Sequence, residues 1–153
     1  MKKIKLFCGI LIGLMIFSSC SSDDDNSNPE PPSLIGIWKQ VNEIDYCSTG
    51  SQETINSSTC EQNGRFNFNS NGTYNVTSYE LEGNDCNLVS EENGTWEINN
   101  GSLIITNQDG SIEFTTFELT ENTFKTGIEQ IDQGEPCNDG HLIGYELNFV
   151  RVE

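Results

Sequence analysis

Short runs of alternating apolar and polar residues recur along residues 34–153, each about a β-strand long and each closed by a turn signal. Phe66 and Phe68 alternate with Arg65, Asn67 and Asn69, and Asn69-Ser70-Asn71-Gly72 then turns the chain into Tyr74 and Val76. Trp96 and Ile98 alternate with Thr95 and Glu97, and Asn99-Asn100-Gly101 leads into Leu103 to Ile105. Asn107-Gln108-Asp109-Gly110 is a further turn of the same chemistry. Ile112 and Phe114 share one parity while Phe117 and Leu119 share the other, so the spacing predicts a bulge near Thr115. In the last run, Ile143, Tyr145, Leu147 and Phe149 form one face. No window of about eleven residues carries a helical period, so helix is expected to be minor.

The pattern resolves into eight strands, over 36–46, 64–69, 72–81, 93–98, 102–107, 111–119, 122–131 and 142–152. Every connection is sequential, which predicts an all-β, eight-stranded up-and-down antiparallel barrel with the first strand beside the eighth. The connections 47–63, 82–92, 108–110 and 132–141 then emerge at one end, and short hairpins at 70–71, 99–101 and 120–121 at the other. The first end reads as a loop-rich mouth and the second as a tight floor.

The first 33 residues have a different character. A basic start, Met1-Lys2-Lys3-Ile4-Lys5, precedes the apolar run Leu6 to Phe17, which is too short for a membrane-crossing helix and suits a signal peptide. Phe17-Ser18-Ser19-Cys20 resembles a bacterial lipobox, with Phe17 where leucine is usual. That resemblance implies lipidation of Cys20, removal of residues 1–19, and an anchor in the outer membrane of a gram-negative bacterium. Residues 20–33 contain three prolines and, after Cys20, no apolar residue. Extended, this linker reaches roughly 40 Å. Its run Ser21-Ser22-Asp23-Asp24-Asp25 resembles export signals of surface-displayed lipoproteins, and it equally suits a plain solvated spacer. Residues 34–153 fit one domain.

Without the signal the chain keeps Lys39, Arg65, Lys125 and Arg151 against all 24 acids, a net charge of −20. A surface this acidic repels phosphate backbones, which excludes nucleic acid as a partner, and it repels anionic lipid, leaving the acyl chain as the membrane contact. Cys47, Cys60, Cys86 and Cys137 remain, an even number in an exported chain, so two disulfides are expected from the three pairings available. Their spacing does not suit a zinc knuckle.

Gly36-Ile37-Trp38 resembles the G-x-W motif of lipocalins, and Arg151 matches the basic residue that packs over that tryptophan in the family. The middle of the chain is similar to bacterial lipoproteins with a lipocalin-like domain. The matching positions are Cys60, Phe66-Asn67-Phe68, Gly72-Thr73-Tyr74, Cys86, Gly94-Thr95-Trp96-Glu97-Ile98 and Leu103. Short strands and the missing helix before the last strand set the chain nearer a minimal group than typical lipocalins. The resemblance implies that Trp38 and Arg151 close the floor, and that Cys60 pairs with Cys86, leaving Cys47 for Cys137.

A tethered monomer holding a small hydrophobic or amphipathic ligand is the leading functional expectation, with Tyr46, Tyr79, His141 and Tyr145 as mouth residues that meet it. The alternative is a non-enzymatic interaction or envelope accessory module that uses disulfide-pinned loops. His141 near Asp139 is the sole histidine and reads more readily as a surface group than as a metal ligand or base. Asp132-Gln133-Gly134-Glu135 lacks the alternating oxygens of a calcium loop. No catalytic elbow, P-loop or metal motif occurs, so no catalytic residue, metal or cofactor is expected, and the chain reads as a non-enzyme.

Overall fold

In the computed structural model, residues 31–129, 136–137 and 140–152 are described. The signal segment, Cys20, the linker up to residue 30, the segment 132–135 and Asp139 lie outside them.

Eleven strands are present among the described residues: β1 (Gly36–Cys47), β2 (Gln52–Asn56), β3 (Arg65–Phe68), β4 (Thr73–Glu82), β5 (Asp85–Asn99), β6 (Ser102–Asn107), β7 (Gly110–Phe114), β8 (Thr116–Leu119), β9 (Thr123–Ile128), β10 (Pro136–Cys137) and β11 (Gly140–Arg151). They form one antiparallel sheet in the order β7-β6-β5-β4-β3-β1-β11-β9-β8, with β2 against β1 and β10 against β11. Pairing of the first long strand with the last curls this sheet into a nearly closed barrel, with Trp38 opposite Arg151 and Glu43 opposite Leu147.

Three differences from the sequence expectation have physical reasons. The strand expected over 111–119 is two strands, because at Thr115 the chain bends and changes partner: β7 pairs with β6, β8 with β9. The parity change between Phe114 and Phe117 marks that point. The segment 82–92 is not a long mouth loop. The chain turns tightly after Glu82, with Gly83 at φ 64°, and β5 starts at Asp85, so β4 and β5 form a long ribbon with Cys86 inside it. Alternation is faint there because residues 85–89 are exposed on both faces. Finally, β2 occupies the mouth half of the β1 edge while β3 occupies the floor half.

Floor packing follows from the aromatic positions. Trp38, Phe68, Tyr74, Leu103, Phe114, Phe124 and Phe149 are buried together with Leu34. Phe124 stacks on Phe149 at 4.1 Å, Trp38 meets Phe124 edge-on at 4.9 Å, and Phe68 meets Trp96 edge-on at 5.6 Å. Gly94 makes room for this set, since a Cβ there would lie 2.7 Å from the Tyr74 ring and 2.1 Å from the Thr106 carbonyl oxygen. Both indoles donate to backbone, Trp38 Nε1 to the Leu34 carbonyl at 2.8 Å and Trp96 Nε1 to the Asn69 carbonyl at 3.2 Å. The guanidinium of Arg151 lies 4.0 Å over the Trp38 ring. It donates to the carbonyls of Glu121, Ile35 and Ser33, joining the β8–β9 turn to the segment that enters β1.

Two disulfides are formed, Cys47–Cys137 and Cys60–Cys86, with Cα–Cα distances of 5.8 and 5.5 Å. The first ties the end of β1 to β10. The second ties a 3₁₀ turn (Glu61–Asn63), capped by Cys60, to the β4–β5 ribbon.

Trp38→Ala should cost about 3–5 kcal/mol, the range for emptying a buried aromatic site. Arg151→Lys should also lower the unfolding free energy, because an ammonium lacks the planar fork that reaches three carbonyls. Urea unfolding of both variants checks this.

Removing Cys47–Cys137 should destabilise more than removing Cys60–Cys86, because it closes the longer loop, 90 residues against 26. Loop-closure entropy sets upper values of about 4.6 and 3.5 kcal/mol. Unfolding of the two double-serine variants checks the order.

Candidate functional site

The lumen divides into a filled floor and a partly open mouth half, and a single inserted residue sets the chemistry of the latter. In β1, Gln40 pairs with Phe149 but Asn42 pairs with Asn148, leaving Val41 as a bulge. A one-residue shift exchanges the faces of everything beyond it. Glu43 and Asp45 therefore stand opposite Leu147 and Tyr145, which pack against the core, and share their inward face. On the other side of β1, Ile55 and Glu53 of β2 are their partners.

Between the end of β2 and the start of β3, the edge of β1 carries no strand. A cavity of about 230 Å³ opens in the barrel wall there. Its lining joins Gln40 and Glu43 of β1, Ile55, Asn56 and Ser57 at the end of β2, Glu61 and Gly64 around the 3₁₀ turn, Phe66, and Thr77 to Glu80 of β4. A second cavity of about 320 Å³ lies between the ends of β8, β9 and β11, lined by Tyr46, Thr116, Ile128, Glu129, Ile143, Tyr145 and Glu146. Both suit small ligands, at or below the lower end of the usual 300–1,000 Å³ range.

The carboxylates are in a costly setting. Burial pushes the Glu43 carboxyl above the usual range, and the charge and hydrogen bonding of Asp45 add to the effect. The Tyr145 phenol is likewise raised, first by burial and then by the Glu43 charge. Asp45 Oδ1 is buried and has no hydrogen-bond partner.

The four mouth residues singled out in the sequence fall in different places. Tyr79 lines the wall cavity, and Tyr46 and Tyr145 line the second. His141 is exposed and lines neither, while its backbone N–H donates to Ser48 Oγ at 3.2 Å. Gln40 and Glu43 escaped the sequence reading, because charged and amide residues in an alternating strand read as outward-facing. The irregular run Gln40-Val41-Asn42 is the signal that could have found them.

The match to known families carries the identification. A family model described as a lipocalin-like domain matches residues 34–126, and the chain belongs to that family. The matched span reaches from the floor segment into β9. The closing strand β11, with Tyr145 and Arg151, lies beyond it. No curated protein matches the chain.

Because Glu43 binds its proton more tightly in the folded chain than in the unfolded one, its contribution is full below the ordinary glutamate value of 4.5 and is lost as pH rises through the raised one. Glu43→Gln removes this loss. At pH 7 the variant should melt at or above the wild-type midpoint, and the difference should shrink toward pH 4. Thermal unfolding across that range, with Asp45, Glu53 and Tyr145 unchanged, measures it.

Proposed function

We propose that this is a membrane-tethered, non-enzymatic lipocalin-like protein that holds a small hydrophobic or amphipathic molecule in the mouth half of its barrel. The observation carrying this reading is the division of the lumen. Aromatic side chains fill the floor, whereas cavities bordered by Phe66, Tyr79, Tyr145 and Ile128 remain toward the mouth. The second cavity, with Ile128, Ile143, Tyr46 and Tyr145 in its lining, has the apolar surface with a few polar groups that capture of a small ligand needs, and the wall cavity is the more polar of the two. The chain acts as a monomer, with the lipid as its membrane contact.

Support for anchoring comes from the basic start, the apolar run and the lipobox-like Phe17-Ser18-Ser19-Cys20. The same features favour the outer membrane of a gram-negative bacterium, and Asp23-Asp24-Asp25 suits surface display and a plain solvated spacer equally. Arg151 holds the carbonyls of Ser33 and Ile35 at the floor, so the chain enters the barrel at its closed end.

A second reading rests on the β4–β5 ribbon. Leu81, Leu88 and Val89 are 61, 51 and 50% exposed beside its turn. An apolar tip of this kind suits a protein contact, which would make the chain an envelope accessory module.

Cys20→Ala should move the full-length protein out of the membrane fraction and abolish its acyl mass. Uptake of a fluorescent hydrophobic probe by the wild type should fall on substitution of Tyr46, Tyr79 or Tyr145 by alanine, with the thermal midpoint within a few degrees. Leu81→Glu and Leu88→Glu should leave uptake unchanged. A wild type that takes up no probe transfers the assignment to the ribbon.

A further inference from the structure

The domain holds four basic side chains besides its single histidine, and none is paired with the inward carboxylates. Arg151 is engaged with three backbone carbonyls at the floor. Arg65 donates to the carbonyls of Gln62 and Gly64 at 2.8 and 2.7 Å. Lys39 Nζ reaches Gln62 Oε1 at 3.5 Å, and Lys125 pairs with Glu118 at 3.4 Å and with Glu146 at 4.0 Å. His141 is exposed on β11. Glu43 and Asp45 thus share one face without a counter-charge among the described residues, and of the two it is Glu43 that lines the wall cavity. A carboxylate drawn partly out of water is ordinarily paired or hydrogen-bonded, because losing hydration without compensation is costly.

The wall cavity supplies a place from which compensation can come. Glu43 and Gln40 line it beside the Phe66 ring, with Ile55 at its β2 side, and its other charged residues, Glu61 and Glu80, are also acidic. We infer that this cavity takes a small organic cation, its ammonium or guanidinium group at Glu43 and its apolar body against Phe66 and Ile55. The inference rests on the ligand-binding reading above and narrows it to one charge class. Neutral and anionic amphiphiles of the same length gain the apolar contact alone, and the anion meets repulsion as well. An aromatic face beside the carboxylate adds to the attraction for a cation.

The test uses the purified full-length chain at pH 7 in physiological salt, with n-hexylammonium, hexan-1-ol and hexanoate as probes followed by amide chemical shifts. Hexylammonium should shift the resonances of Gln40, Glu43, Phe66 and Tyr79 saturably, hexan-1-ol should bind more weakly, and hexanoate should not bind there. Glu43→Gln should raise the hexylammonium Kd about tenfold or more, the loss expected for a charged hydrogen bond, without changing that of hexan-1-ol. Glu97→Gln, an exposed acid on β5, should change neither. Equal binding of all three probes overturns the charge assignment and leaves the ligand-binding reading standing. Equal weakening by Glu97→Gln overturns it as well, since the attraction is then the general field of an acidic surface. Absence of any shift at these residues overturns both readings. The ranking of the three probes on the wild type tests the inference independently of any variant.

Discussion

Everything in this barrel depends on how Arg151 closes its floor. A sheet of this size closes only if the last strand is held in register with the first, and the Trp38–Arg151 pair stands at the end of that ladder. The guanidinium covers the indole and takes up carbonyls from the entry segment and the β8–β9 turn. One side chain therefore satisfies backbone groups from separate stretches of chain that would otherwise be left open at the end of a packed core. With the floor sealed, Phe124, Phe149 and Phe68 have a fixed wall to pack against.

That arrangement separates stability from chemistry along the barrel axis. Toward the floor the lumen is filled by packed aromatic side chains. Toward the mouth the inward positions include Gln40, Glu43, Asp45 and Tyr145, and burial of the Glu43 carboxyl raises the cost of folding at neutral pH. A chain under selection for stability alone would place apolar residues there. Local features that oppose folding are expected where a protein does its work.

Most of the fold was legible because burial on one face writes itself as alternation. The Asn-Gly signal before Leu103 marks a true turn, with Asn100 and Gly101 both at positive φ. Phe66 and Phe68, Trp96 and Ile98, and the last strand all occupy the expected elements. Strand β2 and the outer part of β5 were not legible, since Gln52–Asn56 and Asp85–Val89 are largely exposed and show no alternation to read. The wall cavity was hidden for a different reason. Its inward carboxylate depends on the bulge at Val41, and a bulge is decided by partner strands rather than by local preference.

The change of partners at Thr115 bears on how the wall is held together. Across that bend, β7 is bonded only to β6, and β8 only to β9, so among the described residues no ladder hydrogen bond spans the seam. Across it the wall is held by side-chain packing, with Phe114 among the buried core residues, rather than by main-chain hydrogen bonds. The barrel wall is thus a hoop whose main-chain ladder is broken at this seam, as it also is between β2 and β3, and at both places side chains alone complete the circumference.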